Sequence, residues 1–362
     1  MPQNKYTIGG LCSGVGGIEL GFQKAGFDIA WANDKDEHAI FTYEKIIGKN
    51  HYIGKKPMPM EHILKKDSYR KQLTEVDVLA SGFPCQAFSV AGYRKGFKDE
   101  RGNVFFRIRD IVNYLASHSK LPKVLFLENV KNFKTHDGKR TYKKVRDELY
   151  KLGYSVYTKI LNTSKYTEIP QNRERTFIFC FIGEQKWENY QLDEYDEFFE
   201  DEDANKDCPI TYSFHQNFHS LKKKKQKSIK QYLDEHESVP EKYYYTEEKY
   251  PKTFKSLIAV MDRYDTMYQY RRVYTRENQS NQCPTLTANM GTGGHNVPLC
   301  LVDKKKKIIR KLTPKECFKF QGYGNINLPD NVPDGQLYKQ AGNSVTVELI
   351  TLLAKLIRKT IQ

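Results

Sequence analysis

The chain of 362 residues is long enough to bury a large core and to form two domains. Hydrophobic residues make up 39% of it, and no apolar stretch reaches the roughly twenty residues that cross a bilayer, which excludes a membrane-spanning protein. The formal net charge of +15 favours a polyanionic partner such as nucleic acid, although basic enzymes of every class carry such a charge.

Cysteine usage indicates the compartment. The seven cysteines are scattered, odd in number and free of any Cys-x-x-Cys pair, so they fit neither a disulfide framework nor a zinc site. They suit a reducing compartment, and the first residues lack the apolar core of a signal peptide, so we expect a cytoplasmic protein. Because His295 has no companion at metal-ligand spacing, we expect no metal site.

The N-terminal segment has the pattern of a cofactor-binding unit. Residues 6–11 and 27–32 predict strands, residues 13–17 form a glycine-rich turn before a helix, and Asp34 follows the second strand. Glycines let the backbone approach a cofactor, and an acid at this place accepts hydrogen bonds from ribose hydroxyls. Nicotinamide and S-adenosylmethionine sites share this arrangement, but the third glycine of the dinucleotide fingerprint would fall at Glu19. An ordinary tight turn remains the alternative.

A cysteine follows the next predicted strand. The apolar run 76–80 predicts a buried strand that Gly82 and Pro84 end, which places Cys85 just past its carboxyl end. Ligands bind at that edge of an open α/β sheet, so Cys85 is a candidate nucleophile. A buried packing cysteine is the alternative when the residue is considered alone.

The α/β alternation continues to about residue 185. Helical periodicity covers residues 104–115 and 145–152, while residues 124–127 and 176–182 predict strands. Glu128 follows the first of these strands. Arg173 and Arg175 alternate along an extended segment and therefore point to one face.

The second half of the chain has a different character. Beyond residue 185 the alternation ends, acidic and lysine-rich runs appear, and Tyr, Arg and Lys become dense. We therefore expect a catalytic and cofactor-binding domain at 1–185 plus 337–362, and a smaller irregular domain at 186–336. The final helix, 345–361, should pack back on the first domain.

Six blocks of sequence, in one order, closely resemble the C5-cytosine DNA methyltransferases. They are LCSGVGG (11–17), FPCQAFSVAGYRKGFKDERGNVFF (83–106), LENVKN (127–132), QNRERTF (171–177), RKLTPKECFKFQGY (310–323) and QAGNSV (340–345). The resemblance implies a Rossmann-like α/β domain that binds S-adenosylmethionine, together with a target-recognition domain.

The resemblance also implies the residues of the cofactor site. They are Leu11, Cys12, Ser13, Gly14, Gly16, Gly17, Asp34, Lys35, Asp67, Pro84, Asn343 and Ser344. The chain departs from the family here, because the family's Asp-Leu-Phe start is replaced by Gly10-Leu11-Cys12. Cys12 offers less stacking surface for the adenine than phenylalanine does. Asp34 stands where the family often carries Glu, and Asp67 could equally be a solvated loop residue.

Four catalytic residues follow from the same resemblance. Cys85 would add to carbon 6 of the cytosine, Glu128 would bond the ring nitrogen N3 and the exocyclic amine, and Arg175 would bond the base oxygen O2. Arg173 is assigned to the active-site network around the base. A surface or helix-capping glutamate is the alternative reading of Glu128 taken alone.

The implied partner is double-stranded DNA whose target base is flipped out of the stack. The loop of residues 86–101 resembles one that closes over DNA, and the second domain offers arginine forks and a Thr-Leu pair typical of the family's recognition regions. The candidate DNA contacts are Gln86, Ser89, Arg94, Lys95, Arg101, Arg271, Arg272, Arg276, Thr285 and Leu286.

These features predict a DNA (cytosine-5-)-methyltransferase that acts as a monomer on a short duplex site. Resemblance to bacterial members suggests a restriction-modification role with a cognate restriction endonuclease. An RNA cytosine methyltransferase and a catalytically silent DNA-binding relative are the alternatives, and a nicotinamide dehydrogenase is the alternative at the level of the fold. The sequence specifies neither the recognition site nor the cytosine that is modified.

Overall fold

The computed structural model describes residues 5–83, 104–183, 208–271, 273–278, 281–291 and 297–362. Its larger sheet has six strands in the order β2-β1-β3-β4-β6-β5. The strands are β1 (Thr7–Leu11), β2 (Asp28–Asn33), β3 (Val78–Ser81), β4 (Val124–Val130), β5 (Tyr154–Asn162) and β6 (Glu174–Ile182). Only β6 runs against its neighbours in this sheet, and the expected α/β class is confirmed.

The described residues form eleven α-helices, several of which cover the two faces of this sheet. In chain order they are α1 (Gly17–Lys24), α2 (Glu37–Ile46), α3 (Asp67–Arg70), α4 (Val104–Ser117), α5 (Arg140–Lys151), α6 (Thr163–Tyr166), α7 (Pro209–His219), α8 (Pro251–Val260), α9 (Pro314–Phe320), α10 (Asp334–Asn343) and α11 (Val347–Ile361). Short 3-10 helices cover Ile53–Lys55, Met60–Lys65, Lys131–Phe133, Ile229–Tyr232, His236–Ser238 and Glu241–Tyr243.

Alternate strand residues supply the two halves of the core. Leu79 and Leu125 point to the face that α4 and α5 cover, whereas Val78 and Val124 point to the face covered by α1, α7 and α11. A strand buried on both faces must be apolar at consecutive positions, which explains why β3 and β4 read as continuous apolar runs. The predicted final helix begins at Val347 and packs on α1, as expected.

The second sheet is antiparallel and smaller. Its five strands lie in the order β7-β11-β10-β8-β9. They are β7 (Tyr244–Tyr245), β8 (Tyr268–Arg271), β9 (Tyr274–Glu277), β10 (Leu299–Asp303) and β11 (Ile308–Lys311). Leu257 of α8 packs with Tyr268 and Ile309 in a core of its own. Helix α7 falls inside the predicted second domain, yet Phe214 and Phe218 pack against the large sheet. The domain limits stay a prediction.

A buried ion pair fixes the segment that connects β11 to α9. Arg310 donates to both carboxylate oxygens of Glu316 at 2.7 and 2.8 Å, and both side chains are almost inaccessible. Glu316 also accepts the backbone amides of Thr313 and Asp234 at 2.7 Å each. A buried charge needs a counter-ion and several hydrogen bonds, because desolvation is costly. The pair therefore joins β11, α9 and the segment at Asp234.

Breaking this pair should destabilise the protein strongly. We expect Glu316→Gln to lower the free energy of unfolding by about 3–5 kcal/mol, because Arg310 would keep a buried charge without a counter-ion. Asp28→Asn is the control, since its pair with Lys5 is exposed, and should cost less than about 1 kcal/mol. Urea unfolding measures the free energy of unfolding of both variants. An equal decrease in Glu316→Gln and Asp28→Asn would contradict this account.

Candidate active site at the strand edge

The site residues come together because four parallel strands end at one edge. Leu11 lies in register with Asn33 on one side and Ser81 on the other, and Ser81 lies beside Leu127. The residues that follow these strand positions, Cys12, Asp34, Gly82 and Glu128, therefore meet at one edge of the sheet.

The glycine-rich turn is held by an acid and a tyrosine. The Gly14 amide donates to Asp34 Oδ2 at 2.7 Å, and the Tyr52 hydroxyl donates to the Gly14 carbonyl at 3.0 Å. The other oxygen of Asp34 accepts the Asp36 amide at 2.9 Å. Burial raises the pKa of Asp34, although these backbone donors oppose the shift. The turn is thus fixed against the end of β2.

Open space and unpartnered polar atoms surround this turn. A Cβ on Gly14 would meet no atom within 4 Å, whereas a Cβ on Gly17 would meet Ser344 Oγ and Tyr323 Oη at 2.7 Å each. Glu19 Oε2 is buried without a hydrogen-bond partner, and the buried hydroxyls of Ser13 and Ser81 lie beside the Glu19 carboxyl and the Cys12 thiol. Buried polar atoms are seldom unpartnered in proteins, so this cradle fits a polar ligand such as the donor that the family uses.

The other residues of the predicted cofactor site differ in how far they are buried. Cys12 is half-buried with a φ of 54°, and burial, aided by the charge of Asp34, raises the pKa of its thiol to about 12. Ser344 is buried and hydrogen-bonded to Tyr323 at 2.7 Å. Lys35 and Asn343 are exposed. Asp67 begins α3 with its side chain 74% exposed and paired with Arg70.

Glu128 and Arg175 form the acid–cation pair of the site. Arg175 Nε lies 3.2 Å from Glu128 Oε1, and both side chains are largely buried. Burial raises the pKa of Glu128, while Arg175 and then Arg173 act in the opposite direction. The carboxyl group therefore keeps a proton to a higher pH than an exposed glutamate does.

The pair lies next to the start of the Cys85 loop. A Cβ on Gly82 would sit 3.5 Å from Glu128 Oε2, which places the carboxyl beside the residue three positions before Cys85. Asn129 Nδ2 donates to the carbonyl of Phe83 at 3.0 Å and anchors the loop where it leaves β3. Sequence reasoning missed the role of Asn129, although its place directly after Glu128 was a usable signal.

Arg173 is enclosed by backbone carbonyls. Its terminal nitrogens donate to Leu286 at 2.8 Å, to Gly342 at 3.0 Å and to Ser344. The side chain is 2% exposed. Arg173 thus ties the start of β6 to the Thr-Leu segment and to the turn after α10, and its influence on Glu128 is electrostatic.

The predicted DNA-reading residues divide into exposed and buried groups. Arg276 is exposed and Arg271 half-buried on the β8–β9 hairpin, where Val273 is 83% exposed. Thr285 Oγ1 donates to the carbonyl of Asn172 at 2.5 Å. Leu286 is fully buried and its side chain packs in a hydrophobic cluster, while its contact with DNA stays a prediction. The other DNA contacts stay predictions.

Several predicted residues lie outside the part of the chain that the structure describes. They are Pro84, Cys85, Gln86, Ser89, Arg94, Lys95, Arg101 and Arg272. Within the described ranges, no cluster of three or more His, Cys, Asp or Glu side chains is arranged to hold a metal ion. Among the same residues, no helix is long and apolar enough to span a bilayer.

Known proteins resemble this chain along its whole length. The family described as C-5 cytosine-specific DNA methylase matches residues 6–359. The Type II methyltransferase M.Bsp6I of a Bacillus species is 42% identical and aligns over 98% of both chains. The Type II methyltransferase M.HhaI of Haemophilus parahaemolyticus is 31% identical over 95% of this chain and 91% of its own.

Solved structures share the fold. The Entamoeba histolytica methyltransferase EhMeth superposes with a TM-score of 0.67 at 19% identity, covering 99% of this chain and 100% of its own. The S. pombe Dnmt2 methyltransferase gives 0.66 at 19% identity and covers 99% of each chain. Identity this low supports the fold alone. The match over residues 6–359, by contrast, shows that the chain belongs to the C-5 cytosine-specific DNA methylases.

Proposed function

We propose that this DNA cytosine-5 methyltransferase takes its methyl group from S-adenosylmethionine and uses Cys85 as its nucleophile on a flipped-out cytosine. The observation that carries the proposal is the strand edge, where the Gly14–Asp34 cradle and the Glu128–Arg175 pair lie on either side of the segment leading to Cys85. The Gly14–Asp34 cradle suits the methyl donor, and the Glu128–Arg175 pair suits the cytosine base.

The reaction needs help because carbon 5 of cytosine is barely nucleophilic. Addition of the Cys85 thiolate to carbon 6 breaks the aromaticity and gives carbon 5 enamine character, which splits one high barrier into two lower ones. Glu128 shares its proton with N3 as negative charge develops on the ring, and the raised pKa of this carboxyl keeps the proton available. Arg175 is placed to bond the oxygen O2. When bound, the donor supplies an electrophilic methyl group.

The other cysteines do not compete for the role of nucleophile. Burial raises the pKa of Cys12 and Cys300 to about 12, and it raises the pKa of Cys180, Cys283 and Cys317 as well. Cys208 is also buried. The five thiols with raised pKa values remain protonated and unreactive at neutral pH, and this supports Cys85.

The partner and the cellular role extend the proposal. We propose duplex DNA as the substrate, read by the 186–336 domain, because the exposed Arg276 and the half-buried Arg271 of the β8–β9 hairpin suit base edges and phosphates. The Type II methyltransferase relatives support a restriction-modification role with a cognate endonuclease. We further propose that the enzyme is a cytoplasmic monomer. The RNA alternative is not favoured, since those relatives align over nearly the whole chain. A genome without a nearby endonuclease gene cutting the same site would contradict the pairing.

Removing the nucleophile should abolish turnover. We expect Cys85→Ala to lower the rate of methyl transfer by a factor on the order of 10⁴ or more, because the covalent route is lost. Binding of S-adenosylmethionine should persist, and Cys300→Ala should keep turnover as the control. Base-resolution mapping of 5-methylcytosine in expressing cells measures the effect. Methylation by a clean Cys85→Ala preparation would refute the assignment.

Neutralising the acid should change both the rate and the pH profile. We expect Glu128→Gln to slow single-turnover methylation by about 10²–10⁴-fold, because the amide cannot share a proton with N3. The ratio of the wild-type rate to the Glu128→Gln rate should fall as the pH rises through the raised pKa of Glu128, since the carboxyl then loses that proton. Glu174→Gln is the matched control, because its pair with Lys131 is exposed. A rate ratio that does not change with pH would exclude Glu128 as a proton donor.

Removing the acid of the cradle should weaken donor binding selectively. We expect Asp34→Ala to raise KM for S-adenosylmethionine about 10- to 100-fold, because the carboxylate fixes the Gly14 turn and accepts charge-assisted hydrogen bonds. KM for DNA should change less, and the exposed Glu37→Gln should leave both constants unchanged. An unchanged donor KM in Asp34→Ala would remove Asp34 from the site.

A further inference from the structure

One buried acid at the strand edge has no role in the account above. Glu19, in the first turn of α1, is 1% exposed, and its Oε2 atom has no hydrogen-bond partner. Acids this deeply buried are almost always paired, because an isolated carboxylate is costly to desolvate. An unpartnered oxygen beside an open polar cradle therefore points to a cationic ligand.

The carboxyl group lies against strand β1, close to Ser13 of the glycine-rich turn. A Cβ on Gly10 would sit 1.9 Å from Glu19 Oε1 and 2.7 Å from Ser13 Oγ. Gly10 itself lies in register between Ala32 and Ala80. Only glycine leaves room there for the glutamate. The family's Asp-Leu-Phe start carries an acid at this strand position, whereas this chain brings a carboxyl to the same place from the helix.

We propose that Glu19 is a positioning acid of the donor site, which gives up a proton when the cationic donor binds and thereby couples donor affinity to pH. The inference rests on the proposed use of S-adenosylmethionine, whose ammonium and sulfonium outweigh its single carboxylate. Asp34 is engaged in fixing the turn, because each of its oxygens accepts a backbone amide. Among the buried unpartnered atoms around the turn, Glu19 Oε2 is the one that belongs to a carboxyl group.

The surroundings of Glu19 support a proton that is held in the free protein. The titratable groups that face it are Cys12 of the turn, Asp34 after β2, Tyr43 of α2, Tyr52, and Tyr323 after α9. None of these five groups supplies a positive charge. Burial, with the charge of Asp34, raises the pKa of Glu19 to about 7. A bound cation would reverse this shift, because opposite charges favour the ionised carboxylate.

Calorimetric titration with S-adenosylmethionine at pH 6, 7 and 8 tests the coupling. We expect wild-type affinity to rise about tenfold from pH 6 to pH 8, as proton linkage at one such group requires. Glu19→Gln should show no such rise, whereas the exposed Glu37→Gln should keep it. S-adenosylhomocysteine, which lacks the sulfonium charge, should show a smaller rise in the wild type. Titrations in two buffers of different ionisation enthalpy should show proton release with wild type only.

A double variant guards against mere loss of structure. In Gly10→Asp with Glu19→Ala, the carboxyl returns to the strand in the space that Glu19 vacates, so the pH-dependent affinity should return. Thermal unfolding of the donor-free protein gives an independent readout. Wild type should lose stability relative to Glu19→Gln as the pH rises from about 4.5 to about 7, because the raised pKa makes ionisation unfavourable in the folded state.

The outcomes separate this inference from the proposed function. A tenfold rise that persists in Glu19→Gln would overturn the inference while leaving the donor in place. The inference would also fall if Glu19→Gln and wild type unfolded in parallel across the same pH range. If wild type bound no S-adenosylmethionine at any pH, the donor assignment and the inference would fail together.

Discussion

The guanidinium of Arg173 joins the parts of the site that are distant in sequence. It donates to carbonyls of Leu286, Gly342 and Ser344, so one buried cation ties the start of β6 to the recognition segment and to the turn after α10. A buried charge is tolerated only when it is well paired, and loss of these acceptors would leave it unsolvated. The close approach of Gly342 to Thr287, where a Cβ would meet backbone at 2.2 Å, depends on the same junction.

The direction of one strand brings the acid and the arginine together. Strand β6 runs antiparallel to β4, and Arg175 lies in register with Val130. The carboxyl end of β4 therefore meets the amino end of β6, which places Arg175 near Glu128 although 47 positions separate them in the chain. A parallel β6 would have carried the arginine to the opposite edge of the sheet. The reversal at β6 is thus what brings the Glu128–Arg175 pair together.

Burial gives the carboxyl groups at this edge different tasks. Asp34 and Glu128 both have raised pKa values, yet Asp34 is held by backbone amides and Glu128 by a guanidinium. Glu19 has neither kind of partner on its free oxygen. A carboxyl held by backbone amides, a carboxyl paired with a guanidinium and a carboxyl with an unpartnered oxygen therefore coexist at one sheet edge, each with a different neighbour.

The sequence by itself determined the strand and helix alternation, the blocks of the family and the residues that follow strand ends. These features depend on local periodicity and on short motifs, as the apolar runs of β3 and β4 and the Leu127-Glu128-Asn129 block illustrate. Strand β5 was missed, because its apolar and polar residues mix without a strong period. Only the tertiary structure decided that Leu286 is buried, that α7 packs on the large sheet, that Arg173 bonds carbonyls, and that Glu19 takes the place of a strand-end side chain. Each of these depends on which distant segments meet, and packing between elements leaves no mark in local periodicity.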